Sequence, residues 1–536
     1  MSKNLIVGLA ALALLGALAV FRRIQEPGGH GLVESPAAAA DPKDPPSAGA
    51  QANKKAAAAK ALFAGWDKPA IAILVSGEMH GYVEPCGCSL DQLGGLARRA
   101  DLLRQISDRR WPVTALDVGG LVNNPTRQQA KFKFDMALKS LADMRYAGVA
   151  MGLEELQLSF DFLARPAEPP FLCSNVVLFG DATIAGGPVP FRVVKVGGIK
   201  VGVTAVFGPS LKDEVVPGAQ EGAPKDFEVL EPVASLKKAL AALKAEKPDL
   251  LILLSHARFD ETKKIAANFP QFDIVISAGG PEDPDPRPKF LGEKTLLVAP
   301  GQKGKHVPVV GWYPKAAKDR LKYELVDLDD KRFRDAPQIV EHMRFYQELL
   351  KERNLVAREP DIDDPRPTPR LDANPFVGAK VCGECHKSAL EVWETTKHAH
   401  ATETLKTGRP GDKKPWIDRL YDPECVACHV TGWDPKKIVG YKTGYKGEQA
   451  TPHLLGQQCE NCHGPGGRHT ELERLLAKNK GKAADDEVAA WRKYHRLSKK
   501  TAFDLCVKCH DGDNDPHFKT ETFDSYWEQI AHPGKD

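Results

Sequence analysis

The sequence predicts two unlike folds in one chain: an α/β domain, then a mainly α, loop-rich domain. Three observations carry this. From about residue 68 to 330, apolar strand-like runs alternate with helical patterns, as in layered α/β structures. After residue 372 that alternation stops, and four copies of Cys-x-x-Cys-His appear. Between the two regions, Asp361–Pro369 holds three Asp and three Pro and reads as an extended linker.

The first element is an apolar run from Leu5 to Phe21, flanked by Lys3 and by Arg22-Arg23. Residues 1–23 are therefore expected to be a signal peptide or membrane anchor, with the anchor favoured. Residues 24–67 are rich in Ala, Pro, Gly and Asp and read as a tether. In the α/β domain, 68–335, the strand candidates are Ile71–Ser76, Val113–Val118, Gly148–Met151, Phe171–Val177, Phe191–Val196, Val201–Phe207, Leu250–Leu254, Phe272–Ser277 and Lys294–Val298. Helix candidates are Leu96–Ile106, Lys131–Asp143, Glu155–Leu163 and Val233–Glu246, the last with apolar residues at 233, 236, 239, 240 and 243. A helix and linker follow at 336–371, with Ile339, Met343, Tyr346, Leu349 and Leu350 as the helical stripe.

The last domain, 372–536, carries the chemistry. Its motifs are Cys382-x-x-Cys385-His386, Cys425-x-x-Cys428-His429, Cys459-x-x-Cys462-His463 and Cys506-x-x-Cys509-His510. Each reads as a covalent c-type haem site, in which two thiols bond the porphyrin and the His is the proximal iron ligand. Paired zinc sites would not explain a His after every second Cys. Four c-type haems are therefore the expected cofactors. Motif starts lie 43, 34 and 47 residues apart, so this is not a regular repeat. Seven further histidines lie here, against five in the first 371 residues. That surplus suits bis-His ligation; the distal candidates are His398 or His400, His453, His469 and His532.

Covalent haem is attached outside the bacterial cytoplasmic membrane. The chain is therefore expected in the periplasm or on the outer face of that membrane, held there by its N-terminal segment. The 74 basic and 71 acidic residues nearly balance, which gives no ground for a nucleic-acid partner. Redox proteins are the expected partners, either other cytochromes or a membrane quinol-oxidising complex.

The wording around the motifs is similar to a known family. It comprises Trp393, Lys397-His398-Ala399-His400-Ala401, Thr451-Pro452-His453-Leu454-Leu455-Gly456, Gly464-Pro465-Gly466, His469, Phe523, Tyr526-Trp527 and Ile530-Ala531-His532. These residues resemble the tetrahaem cytochrome c family whose type member is the electron carrier of ammonia oxidisers. The resemblance covers roughly 376–533. It implies closely packed, mostly bis-His haems, with room for one five-coordinate haem.

A second resemblance covers about 68–330. It rests on Glu78-Met79-His80-Gly81, Leu93-Gly94-Gly95-Leu96-Ala97-Arg98-Arg99, Leu116-Asp117-Val118-Gly119-Gly120, Gly152-Leu153-Glu154-Glu155, Leu253-Leu254-Ser255-His256-Ala257 and Gly301-Gln302-Lys303-Gly304-Lys305. In order, these blocks resemble the 5′-nucleotidase branch of the calcineurin-like metallophosphoesterases. That implies a four-layer α/β/β/α sandwich with a dinuclear metal edge. The ligands are degenerate: Glu78 stands for the first Asp, Gly120 for the bridging Asp, and Leu153-Glu154 for Asn-His. A glycine and a leucine cannot bind metal, so ordinary two-metal hydrolysis is disfavoured.

In its place stands Pro85-Cys86-Gly87-Cys88, on the loop leaving the first strand. Two thiols one residue apart are candidates for a redox pair, a disulfide or a soft-metal site. With Glu78, His80 and His256 they form a candidate site for one divalent metal ion. Cys173 is expected at the same edge. The primary expectation is an exported electron-transfer protein. The alternatives are a 5′-nucleotidase-like phosphohydrolase fused to a cytochrome, and a haem enzyme acting on a small nitrogen or sulfur compound.

Overall fold

A computed structural model describes residues 61–532, apart from 86–91, 125–126, 159–167, 182–183, 185, 216–226, 359–360, 364–365, 367–373, 409–415 and 479–484. These residues lie within one compact unit, Lys60–Asp536. The N-terminal apolar run and the Cys86 and Cys88 pair fall outside them. Among the described residues, no helix is long and apolar enough to cross a membrane.

Two six-stranded sheets build the first region. The strands are β1 (Ile71–Ser76), β2 (Val113–Asp117), β3 (Tyr146–Ala150), β4 (Phe171–Leu172), β5 (Val176–Leu178), β6 (Phe191–Val196), β7 (Ile199–Phe207), β8 (Phe227–Val229), β9 (Leu250–His256), β10 (Ile274–Ser277), β11 (Lys289–Leu291), β12 (Thr295–Val298), β13 (His306–Trp312) and β14 (Leu321–Asp327). One sheet runs β14-β13-β1-β2-β3-β4, the other β11-β12-β10-β9-β7-β6, and β5 pairs with β8. Strands β1 to β4 are mutually parallel, so their C-terminal ends share one edge. Ligand sites gather at such edges.

Alternation along β1 explains the layering. Ile71, Ile73 and Val75 face the second sheet, packing with Val201, Ile252 and Ile276. Ala72 and Leu74 face the other way, toward helices α1 (Leu96–Asp108) and α2 (Gln128–Asp143). The far face of the second sheet is covered by helices at Pro232–Ala245 and Phe259–Ala266. The result is the expected α/β/β/α sandwich, with side chains inward on both faces of each strand.

The helix expected after residue 336 is α3 (Pro337–Arg353), and it packs on this sandwich. Its Ile339, Met343, Tyr346 and Leu350 are buried in the same core as α1 and α2. Of the predicted linker, Ile362 pairs its backbone with Gly440 and Lys442 of the last region. That region is made of short helices and loops, as expected, and among its described residues the strands form a two-stranded ribbon at 433–440. Helix α4 (Pro423–His429) carries the second Cys-x-x-Cys-His motif.

Candidate haem sites and the remodelled sheet edge

Each Cys-x-x-Cys-His motif occupies about one helical turn. Residues at i, i+3 and i+4 share a helix face, so both thiols and the imidazole of a motif face the same side. The His386 amide donates to Cys382 O at 3.0 Å and the His510 amide to Cys506 O at 2.8 Å. The thiols stand here for the thioether sulfurs of the haem-loaded protein.

Three proximal rings are oriented through Nδ1. His429 bonds Ala401 O at 2.6 Å, His463 bonds His495 O at 2.7 Å, and His510 bonds Asp515 Oδ2 at 2.8 Å. An imidazole bonded through Nδ1 would coordinate a metal through Nε2.

Two distal candidates face proximal rings. His398 lies 6.1 Å from His510 and His532 lies 5.9 Å from His463, ring centre to ring centre. An iron between two imidazole nitrogens, at about 2.0 Å from each, puts ring centres roughly 6 Å apart. Burial, with His510 and His429 nearby, lowers the His398 pKa to about 4, which keeps the ring neutral as a ligand must be. His400, its alternative, is solvent-exposed and bonded to Glu403. His469 lies within the electrostatic reach of His386. His453 is exposed beside Gly378, just ahead of the first motif.

His495 was not among the distal candidates drawn from the sequence. Its Nδ1 bonds His463 O at 2.9 Å, and its buried Nε2 has no hydrogen-bond partner among the described residues. An orphaned buried nitrogen of that kind fits a ligand-binding role. No spacing rule would have selected it.

The motifs are also ordered in space. The Cys382 thiol contacts Cys459, Cys462 lies near Cys506, and Cys428 contacts Cys509. They therefore follow one another as first, third, fourth, second.

Two of them abut the sandwich. Asp422 caps α4, accepting from the Glu424 amide at 3.0 Å, and also accepts from Gln129 of α2 and Gln347 of α3, each at 2.7 Å. Lys133 of α2, buried, pairs with Glu424 at 2.6 Å. Asp513, three residues past His510, is held by Lys303 at 2.6 Å and Lys305 at 3.3 Å. The described residues on either side of segment 86–91 are tied to the last region. Glu84 bonds Arg419, and Gln92 bonds Asp513 O at 2.9 Å.

At the sheet edge, Glu78 and His80 both take left-handed backbone, at φ 46° and 47°. His80 Nδ1 lies 3.2 Å from Glu154 Oε1, a pairing the sequence did not reveal. Burial opposes charge on His80, but the Glu154 hydrogen bond and charge outweigh it and raise its pKa. Burial likewise opposes charge on Glu154, and the His80 hydrogen bond outweighs it and lowers that pKa. Burial raises the Glu78 pKa.

Of the predicted metal set, Cys86 and Cys88 lie outside the described residues, and Glu78, His80 and His256 by themselves form no metal-holding group. His256 has both ring nitrogens on backbone: Nδ1 at 2.8 Å from Val118 O, and Nε2 accepting from the Leu153 amide at 3.0 Å. It braces the edge and has no nitrogen left for a metal. Asp117 turns back to Ser76 and the Gly119 amide, so it does not replace the missing bridging Asp. The Glu155 carboxylate accepts from the Gly120 and Leu121 amides, at 3.0 and 2.8 Å. No group of three His, Cys, Asp or Glu side chains among the described residues has metal-holding geometry. Cys173 is a core residue bonded to Asn175, and burial pushes its thiol up to about 11.

Comparison with known proteins matches both regions. A family model described as "Cytochrome c554 and c-prime" matches residues 381–464. Cytochrome c-554 of Nitrosomonas europaea is 37% identical over 125 residues, 22% of this chain and 51% of that protein. The snake venom 5′-nucleotidase of Crotalus adamanteus is 27% identical over 284 residues, 49% of this chain and 46% of that protein. The chain thus spans about half the length of the curated relatives it matches. Among solved structures, a 5′-nucleotidase precursor from Thermus thermophilus aligns at TM-score 0.43 and 17% identity, covering 78% of this chain and 80% of that one. The last region is cytochrome c554-like, and the first is 5′-nucleotidase-like.

Proposed function

We propose that this is an exported electron-transfer protein that conducts electrons through four covalently bound haems. One observation carries the reading most directly: His398/His510 and His463/His532 stand at the spacing of bis-axial ligation, with His463 and His510 already oriented through Nδ1. Bound there, haem supplies one-electron chemistry. The residues of the chain fix its orientation, limit water at half-buried rings such as His398, and keep successive sites in contact. Filled axial positions suit electron transfer rather than small-molecule turnover. The haem-enzyme alternative is carried by no observation of this kind.

The sandwich domain is read as a docking and redox partner to the haems, with Cys86 and Cys88 as its thiol pair. Support comes from the flanks of that loop, both tied to the haem region. Partner cytochromes or a membrane quinol-oxidising complex would supply or take electrons, with the N-terminal segment holding the protein at the outer face of the membrane.

The hydrolase alternative has the 5′-nucleotidase likeness in its favour. Its chemistry lacks ligands: Gly120 and Leu153 have none to offer, and His256 is already fully bonded. The test of the main reading is cofactor stoichiometry. Purified from an exporting host, the protein should carry four haems per chain with a dominant low-spin spectrum in both oxidation states. Fewer than four haems, or a mainly high-spin spectrum, would defeat it.

A further inference from the structure

His510 differs from the other two anchored proximal histidines in what holds its Nδ1. His429 and His463 donate to main-chain carbonyls, which are neutral. His510 donates to a carboxylate, Asp515 Oδ2, at 2.8 Å. The other oxygen, Oδ1, accepts from the Tyr526 hydroxyl at 3.1 Å. The turn that places Asp515 is tight: its amide bonds Asp511 O at 2.7 Å, and Asp511 Oδ1 collects the Asp513 and Asn514 amides. Asp511 is paired with Lys436, and Asp513 with Lys303 and Lys305. Asp515 is the carboxylate of this turn with no lysine or arginine against it among the described residues, so its charge is directed at the imidazole.

A carboxylate on Nδ1–H draws the proton and makes Nε2 a stronger electron donor to the metal it holds. A stronger axial donor favours the ferric over the ferrous state, which lowers the reduction potential. We propose that Asp515 is a positioning residue that holds the haem attached at Cys506 and Cys509 at a lower potential than a carbonyl anchor would give, with Tyr526 moderating the effect. This rests on the tetrahaem reading above. It makes the four sites unequal, and it places the depressed one in the turn clamped to the sheet edge by Lys303 and Lys305.

The test uses the full-length, haem-loaded protein in equilibrium spectroelectrochemical titration, with haem content and electron paramagnetic resonance recorded alongside. Asp515→Asn keeps an acceptor but removes the charge. It should make one of the four one-electron steps at least tenfold easier, a rise of about 59 mV. Tyr526→Phe removes a donor from the carboxylate and should move the same step the opposite way by a smaller amount. Asp515→Glu should return the step toward the parent value. Steps that stay put in both variants, or shift in the same direction in both, overturn the proposal. Should Asp515→Asn lose haem, Tyr526→Phe decides alone: no downward shift overturns it. A parent protein with fewer than four haems would instead fail the underlying reading, and haem content shows that before any variant is made.

Discussion

Glu78 and His80 hold left-handed backbone at the end of β1, a conformation that costs non-glycine residues about 1–3 kcal/mol each. It aims His80 at Glu154. The two pKa shifts give this pair a pH signature. His80, raised in the folded state, contributes stability that is complete below its ordinary value of 6.5 and fades as pH climbs through the higher folded value. Glu154, lowered, contributes stability present above its ordinary 4.5 and lost as pH falls through the lower folded value. The pair is therefore strongest between those ordinary values. Glu154→Gln should cost about 1–2 kcal/mol in that window and much less once pH has climbed past the raised folded pKa of His80, as read from denaturant midpoints across pH. A cost that does not vary with pH would mean the pair is never charged. Little of this was legible in the sequence. His80 was visible as a retained family histidine, but Glu154 was read only as a substitution. Its pairing depends on β1 and β3 lying in one sheet, which residue spacing does not state. His256 misled for the same reason: its residue type suggests a ligand, and only the fold shows both nitrogens spent on backbone.

At the scale of elements, helix α4 is fastened to helices α2 and α3 through Asp422 and Glu424. Lys133 is buried, and removing its partner strands a charge. Glu424→Ala should destabilise the protein by roughly 3 kcal/mol, somewhat less if water reaches the half-exposed glutamate side. The double variant Lys133→Met, Glu424→Leu should recover most of that loss in the same chemical denaturation. Recovery that fails to appear would show that the pair sets packing rather than charge balance. Element positions divide by the physics that defines them. Strands β1, β2 and β6 were read within a residue because they alternate or run apolar between clear breaks. Strands β13 and β14 were not read as strands. Pro308 and Gly311 interrupt the first, and Lys322 and Glu324 give the second a polar, partly solvated face. In the last region the apolar side chains fall into three small clusters rather than one periodic core, so only the short-helix character and the motifs themselves could be read.

For the whole molecule, the sheet edge, the residues flanking segment 86–91, and the fourth motif form one neighbourhood, joined through Glu84, Arg419, Gln92, Lys303 and Asp513. If the thiols exchange electrons with the haems, Cys86→Ser and Cys88→Ser should slow haem reduction by thiol-competent donors and leave reduction by dithionite unchanged. Identical kinetics with every donor would remove the thiols from the electron path. The sequence indicated that a sandwich and a cytochrome c554-like region share this chain. It could not show that they are built into each other, because the joining contacts link residues some 200 to 430 positions apart.

The seat of Asp422 bears on how the protein is assembled. Gln129 and Lys133 emerge from synthesis almost 300 residues ahead of α4, and Gln347 about 75 ahead. Domains generally fold as units from the N-terminus onward. The second attachment helix therefore meets a finished socket as it appears, whereas the first motif must wait for the third, and the second for the fourth, before their sulfurs can meet. The second Cys-x-x-Cys-His helix thus has a seat supplied by the sandwich, residues that precede it in the chain.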